Sequence, residues 1–218
     1  GAHGFEEFVG HVAGCVDYYS HVFYYPMAFD AGDPVHDLWN GEEEVWHNGR
    51  YLTHLVTDRT VEFIEDGAED PFFAYVAYSA PHYPLHAPTE YLDRFPDLDD
   101  ERRIIAAMIA AVDDGVGRIL DALERTGERE NTIVVFTSDH GPSRESWNDL
   151  DGAGEPFEGG SSGPYRAHKK SLLEGGIRVP AVIQYPGTFE GGVEFDGLAS
   201  HADLLPTVLE CCDVDVPG

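Results

Sequence analysis

The hydrophobic positions of this chain change period several times, and each change predicts an element. Across residues 53–66, Leu55, Val56, Val61, Phe63 and Ile64 recur at mixed spacings of three and four, which predicts a helix with Thr53 as its candidate cap. Phe72-Phe73-Ala74-Tyr75-Val76-Ala77-Tyr78 is apolar without alternation and lies between Pro71 and Pro81, the pattern of a strand buried on both faces. From 100 to 126, Ile105, Met108, Ile109, Val112, Val116, Ile119 and Leu123 keep a 3.6-residue stripe that stops at Gly127, so this is the clearest helix. A second apolar run follows at once, Thr132-Ile133-Val134-Val135-Phe136-Thr137. Residues 179–185 are a third strand candidate and 202–212 a final helix. Helix feeding into buried strand is the repeat of an α/β fold with a largely parallel central sheet flanked by helices. Residues 1–34 carry many aromatics and histidines with no period and predict irregular, packed structure. No repeat or linker divides the chain, so residues 1–218 are expected to form part of one domain.

Charge narrows the picture. The chain holds 41 acidic against 13 basic residues, a formal charge of -28, and the acids are spread along it. Repulsion of that size is screened when the Debye length shrinks to about 3 Å near 1 M salt. The composition therefore predicts a halophilic protein with an archaeal-type acidic composition, working in the cytoplasm of a salt-rich cell. An acidic surface built for a basic partner needs acidic blocks, and the runs here stay as short as Glu42-Glu43-Glu44. A nucleic-acid partner is disfavoured, because two lysines and scattered arginines make no basic face. No apolar run approaches the roughly 20 residues that span a membrane. Cys15, Cys211 and Cys212 cannot form a disulfide framework and are read as reduced and buried.

Candidate chemistry gathers at the predicted carboxyl ends of the strands, where open α/β sheets bind ligands. Asp139-His140 follows one strand and could ligate a divalent metal; a turn-capping aspartate with a packed histidine is the alternative. Pro81, Pro84 and Pro88 stiffen the loop after 72–78 and fix where His82 and His86 point, so His82 could serve as an acid or as a donor to an oxyanion; a proline-stiffened surface loop with ordinary histidines is the alternative. Lys169 and Lys170 are the only lysines in the sequence. Side by side between a glycine-rich loop and Gly175-Gly176, they suit a tetrahedral anion, with the glycines letting the backbone come close; an exposed basic pair is the alternative. The glycine-rich stretch 152–163 lacks the spacing of a P-loop and reads as a mobile substrate-side loop.

Several of these segments together resemble the sulfatase family: Phe136-Thr137-Ser138-Asp139-His140-Gly141, His168-Lys169 with Glu174-Gly175-Gly176-Ile177-Arg178-Val179-Pro180, Ala80-Pro81-His82-Tyr83-Pro84, and Asp203-Leu204-Leu205-Pro206-Thr207. Gly4-Phe5-Glu6-Glu7-Phe8 and Gly115-Val116-Gly117-Arg118-Ile119-Leu120 join them, in family order along nearly the whole chain. The resemblance implies an alkaline-phosphatase-like α/β fold and metal-dependent hydrolysis of a small-molecule or carbohydrate sulfate ester. On it, Asp139 and His140 are metal ligands, His82 contacts the ester and Lys169 binds sulfate, with His168 and Arg144 on the substrate side. The family often has Asn where His140 stands. Oxygen donors suit Ca2+ better than imidazole does, so Mn2+ or Zn2+ is the alternative to calcium.

The resemblance also implies a nucleophile, a Cys or Ser in C/S-x-P-S-R converted to formylglycine, upstream of the Gly4 segment together with two further aspartate ligands. Pro142-Ser143-Arg144 is no substitute, since His140 stands where the nucleophile belongs. The chain is thus expected to be the middle and later part of a sulfatase catalytic domain, inactive alone. A phosphonate or phosphodiester hydrolase of the same superfamily, or a non-catalytic binding remnant, is the alternative.

Overall fold

A computed structural model describes residues 4–24, 32–67, 70–144 and 159–215. Two helices packed side by side and running in the same direction form its centre. The first, α1 (Leu52–Asp66), starts from Tyr51 as N-cap. Thr53, expected as the cap, lies inside the helix and is buried. A short helix, α2 (Thr89–Leu92), leads into the long α3 (Asp100–Thr126). Helix α3 carries Asp100 and Glu101 in its first turn and Arg125 in its last, matching its macrodipole. It ends where Gly127 adopts φ 82° and the Glu128 N–H closes onto the Leu123 carbonyl.

The buried row of α3 departs from the predicted stripe. Ile105, Met108, Val112 and Leu123 are inside, but Ile109 is 51% exposed, and Ala107, Ala111 and Ala122 are fully buried in its stead. Small residues on that row let α1 and α3 approach closely; Gly115 lies against Thr57 of α1 and Tyr78. Arg118 and Arg125 of α3 pair with Asp58 and Glu65 of α1 across the outer face. Asp114 of α3 pairs with Arg94 on the solvated side. The main core joins Met108 and Ala111 to Leu52, Leu55, Val16, Tyr18 and Leu38, so the aromatic-rich start of the chain packs on the helix pair.

That first region is irregular, as expected, with five two-residue strands: β1 (Val9–Gly10), β2 (Val22–Phe23), β3 (Val35–His36), β4 (Trp39–Asn40) and β5 (Glu43–Glu44). They pair antiparallel as β1-β4-β5 and β2-β3. After α3 come β6 (Val134–Thr137), the short helix α4 (Glu174–Ile177) and β7 (Ala181–Gln184). A 3-10 turn (His201–Asp203) then runs into α5 (Leu204–Cys211).

The largely parallel sheet expected from the sequence is represented among the described residues by one antiparallel pair, β6 with β7, in the register Val135↔Ile183 and Phe136↔Val182. Residues 72–78, predicted as a strand buried on both faces, run without an assigned strand, and Phe73 and Tyr75 are 69% and 76% exposed. A strand exists only through its neighbours' hydrogen bonds, and no described segment lies alongside to supply them. Among the described residues no helix is long and apolar enough to cross a membrane. Cys15 is buried and free as expected, whereas the free Cys212 is exposed.

Candidate active site

The loop after β6 and the segment before α4 are knitted together by backbone. The Gly141 N–H donates to the Gly176 carbonyl at 2.9 Å, and the Lys169 N–H to the Pro142 carbonyl at 2.9 Å. A Cβ on Gly141 would stand 1.9 Å from the Gly175 carbonyl oxygen, and one on Gly175 would stand 2.1 Å from that of Ala167. The sequence suggested that these glycines admit an anion; the chain itself fills the space, and they work by bringing Lys169 beside the 139–142 loop.

His82 arrives from the other direction. Its Nε2 lies 3.4 Å from Lys169 Nζ, joining residues 87 positions apart. The Nδ1–H donates to the Tyr83 carbonyl at 2.7 Å, which leaves Nε2 as the lone-pair nitrogen facing the lysine. Burial, with further contributions from the Lys169 and His140 charges, holds the imidazole below its ordinary pKa. Asp139 acts in the opposite sense, so His82, Lys169, Asp139 and His140 share one electrostatic neighbourhood.

At Asp139-His140, the His140 Nδ1–H donates to the Gly141 carbonyl at 2.8 Å. Its Nε2 therefore presents a lone pair to Asp139 Oδ2, 3.2 Å away. Two electron-rich atoms at that separation are suited to share a bound cation. The Asp139 side chain is 82% exposed, so the pair is open on its outer side. Among the described residues no group of three or more His, Cys, Asp or Glu is placed to hold a metal ion. The donor set is one carboxylate and one imidazole, which fits part of a divalent-cation site.

The other expected residues divide. His168 is half-buried, with Nδ1 3.0 Å from the Lys169 carbonyl, so it shapes the segment around the lysine. Arg144 is exposed at the edge of the described region. Lys170 is exposed in a left-handed conformation, φ 73°. Arg178 pairs with Glu174 at 2.9 Å and its guanidinium stacks over Tyr165, as a structural arginine does. His86 sits 3.2 Å from an Asp17 carboxylate oxygen, away from the Lys169 contact. The predicted substrate-side loop lies outside the described residues from 152 to 158. Its remainder supports the site, since Gly160 abuts Pro142.

Sequence reasoning missed the residues that hold the His82 loop. Tyr18 donates from its hydroxyl to the His82 carbonyl, Tyr51 to the His86 carbonyl, and His11 Nε2 meets Ser79 Oγ at 2.6 Å. Tyr18 and His11 belong to the aperiodic start of the chain, where only the density of aromatics and histidines hinted at organised packing, and Tyr51 stands just before α1, outside its apolar period.

The Sulfatase family model matches residues 1–214. Arylsulfatase J of Mus musculus is 31% identical over 214 residues, covering 96% of this chain and 33% of the relative. N-acetylgalactosamine-6-sulfatase of Mus musculus is 34% identical over 169 residues, 77% of this chain and 30% of the relative. The crystal structure of Ps i-CgsB in complex with k-i-k-neocarrahexaose aligns with a TM-score of 0.83 at 30% identity, over 98% of this chain and 47% of that one. This chain spans about a third of the length of those curated relatives and about half of that structure. With an alkaline-phosphatase-like fold and the matches running along almost all of its length, it belongs to the sulfatase family.

Proposed function

We propose that these residues supply the sulfate-binding cation, the ester-contacting histidine and part of the metal-binding set of a sulfate-ester hydrolase acting on a carbohydrate sulfate. The observation that carries the reading is the meeting of Lys169 and His82 at 3.4 Å beside Asp139 and His140. A sulfate ester carries its charge on three oxygens, and a lysine ammonium supplies a compact positive charge with three donors to them. His82 is neutral near pH 7 because burial holds its pKa down, and its Nε2 accepts a hydrogen bond from the Lys169 ammonium and is placed to take a proton from the reacting group. Once protonated there, it donates to the bridging oxygen as the leaving group departs.

Asp139 Oδ2 and His140 Nε2 would hold a divalent cation, which supplies Lewis-acid stabilisation of the sulfate oxygens. An imidazole in the set favours Mn2+ or Zn2+ more than an all-oxygen set does, and Ca2+ is the ion the family resemblance implies. No C/S-x-P-S-R stands in these 218 residues, so the nucleophile, formylglycine in the family, comes from outside them and these residues alone do not turn over. The carbohydrate class is supported by two relatives, one an N-acetylgalactosamine-6-sulfatase and one crystallised with k-i-k-neocarrahexaose.

The test compares an aryl sulfate with an aryl phosphodiester as substrates of a sulfatase-length protein containing these residues. The reading predicts the larger kcat/KM for the sulfate; preference for the phosphodiester would replace it with a phosphodiesterase.

A further inference from the structure

The contact between His82 and Lys169 depends on a loop rich in proline and poor in regular hydrogen bonds, and that loop is fastened from below. We propose that Tyr18 and Tyr51 form a paired clamp that positions His82, acting through the backbone of the 82–86 loop. The catalytic consequence rests on the sulfatase reading above; the clamp itself is independent of it.

Both tyrosines are in the core, 1% and 3% exposed. Their rings stack with centroids 5.4 Å apart and planes 25° from parallel. Their backbones are tied as well, since the Leu52 N–H donates to the Tyr18 carbonyl at 2.8 Å. From this unit two hydroxyls reach the same loop. Tyr18 donates to the His82 carbonyl at 2.8 Å and Tyr51 to the His86 carbonyl at 2.9 Å. A buried phenol needs a partner, and here each takes one end of the loop. Pro84 between the two ends offers no N–H, so the loop gains little internal hydrogen bonding to fix itself.

The backbone position controls the ring. The carbonyl that Tyr18 grips belongs to the peptide linking His82 to Tyr83, and the imidazole Nδ1–H is bound to the next carbonyl along, that of Tyr83. Rotation of the gripped peptide therefore carries the ring with it. At 3.4 Å, Nε2 is already at the long end of hydrogen-bond range from Lys169, so a small rotation breaks the pair. On the entry side, His11 with Ser79 and the His82 N–H on the Ser79 carbonyl hold the remaining degree of freedom.

The test removes one hydroxyl at a time and leaves both rings in place. In the 218-residue chain, long-range 1H–15N spectra of the histidine rings, assigned with His82→Ala, report which nitrogen of His82 bears the proton. The wild type is expected to show a single Nδ1–H form, and Tyr18→Phe, or Tyr51→Phe should the first variant misfold, a mixture of tautomers. In a sulfatase-length protein, Tyr18→Phe is expected to lower kcat about 10- to 100-fold with KM little changed. It should cost nothing more in a His82→Ala background, which a merely structural tyrosine would not obey. Unchanged His82 signals in both variants, or an equal kcat loss with and without His82, overturns the clamp. A wild type that turns over no sulfate ester refutes the function reading instead, and the spectra then decide the clamp alone.

Discussion

Two glycines two positions apart on α3 are predicted to respond to alanine with opposite signs. A Cβ on Gly115 would lie 2.6 Å from Thr57 Oγ1 and 2.8 Å from the Tyr78 hydroxyl, while one on Gly117 meets nothing within 4 Å. The two oxygens facing Gly115 are bonded to each other at 2.8 Å, and Thr57 is fully buried, so neither withdraws freely. Overpacking costs about 1–3 kcal/mol and losing a hydrogen bond about 1 kcal/mol, against a gain of roughly 1 kcal/mol from replacing glycine in a helix. Gly115→Ala should therefore lose about 1–3 kcal/mol, lowering Tm by roughly 2–12 °C in a chain of this size. Gly117→Ala has only the helix gain, about 0.5–1 kcal/mol, and should raise Tm by about 1–4 °C. Thermal melts followed by circular dichroism at one fixed salt concentration measure both. If Gly115→Ala melts at or above the wild type, the close packing of α1 on α3 described above is wrong.

Burial holds the imidazoles of His21 and His54 below their ordinary pKa of 6.5. As pH falls through 6.5 the unfolded chain takes up these protons first, so stability present above that value is lost on acidification towards the lower folded values. Tm measured at constant salt should fall between about pH 7.5 and pH 5.5, and a flat profile would contradict the burial of these rings. With a formal charge of -28, the chain should melt higher in molar than in millimolar potassium chloride; an unchanged Tm refutes the halophilic reading. Burial pushes the Cys15 thiol up to about 11, while Cys212 is exposed. At pH 8 a disulfide reagent should label Cys212 quickly and Cys15 only on unfolding; fast native labelling of Cys15 would show that it is not in the core.

Elements whose determinants are local could be read from the sequence. Helix α3 was legible because its apolar period and Gly127 are both within it, yet Ile109 faces out because the α1 contact prefers the alanine row and Gly115. The run 72–78 was misjudged because an apolar composition does not supply neighbouring strands. His82, Lys169, Asp139 and His140 were singled out by their motifs, and the structure brings them into one neighbourhood. That the first two touch depends on glycines packed against each other 34 positions apart, Gly141 on Gly175, which composition does not reveal. Tyr18 and Tyr51 escaped notice because a clamp acts through hydroxyl direction, and an aperiodic aromatic segment encodes that only after folding.

The proposed function gives adjacent lysines different roles, and that contrast tests the central claim most directly. Lys169 meets His82, whereas Lys170 is exposed in a left-handed conformation beside it. The measurement is kcat/KM for an aryl sulfate in a sulfatase-length protein containing these residues. Lys169→Ala is predicted to lower it by about 100- to 1,000-fold, as loss of a transition-state donor does, and Lys170→Ala to leave it within about twofold. Equal effects of the two substitutions, or full activity without Lys169, would contradict the account.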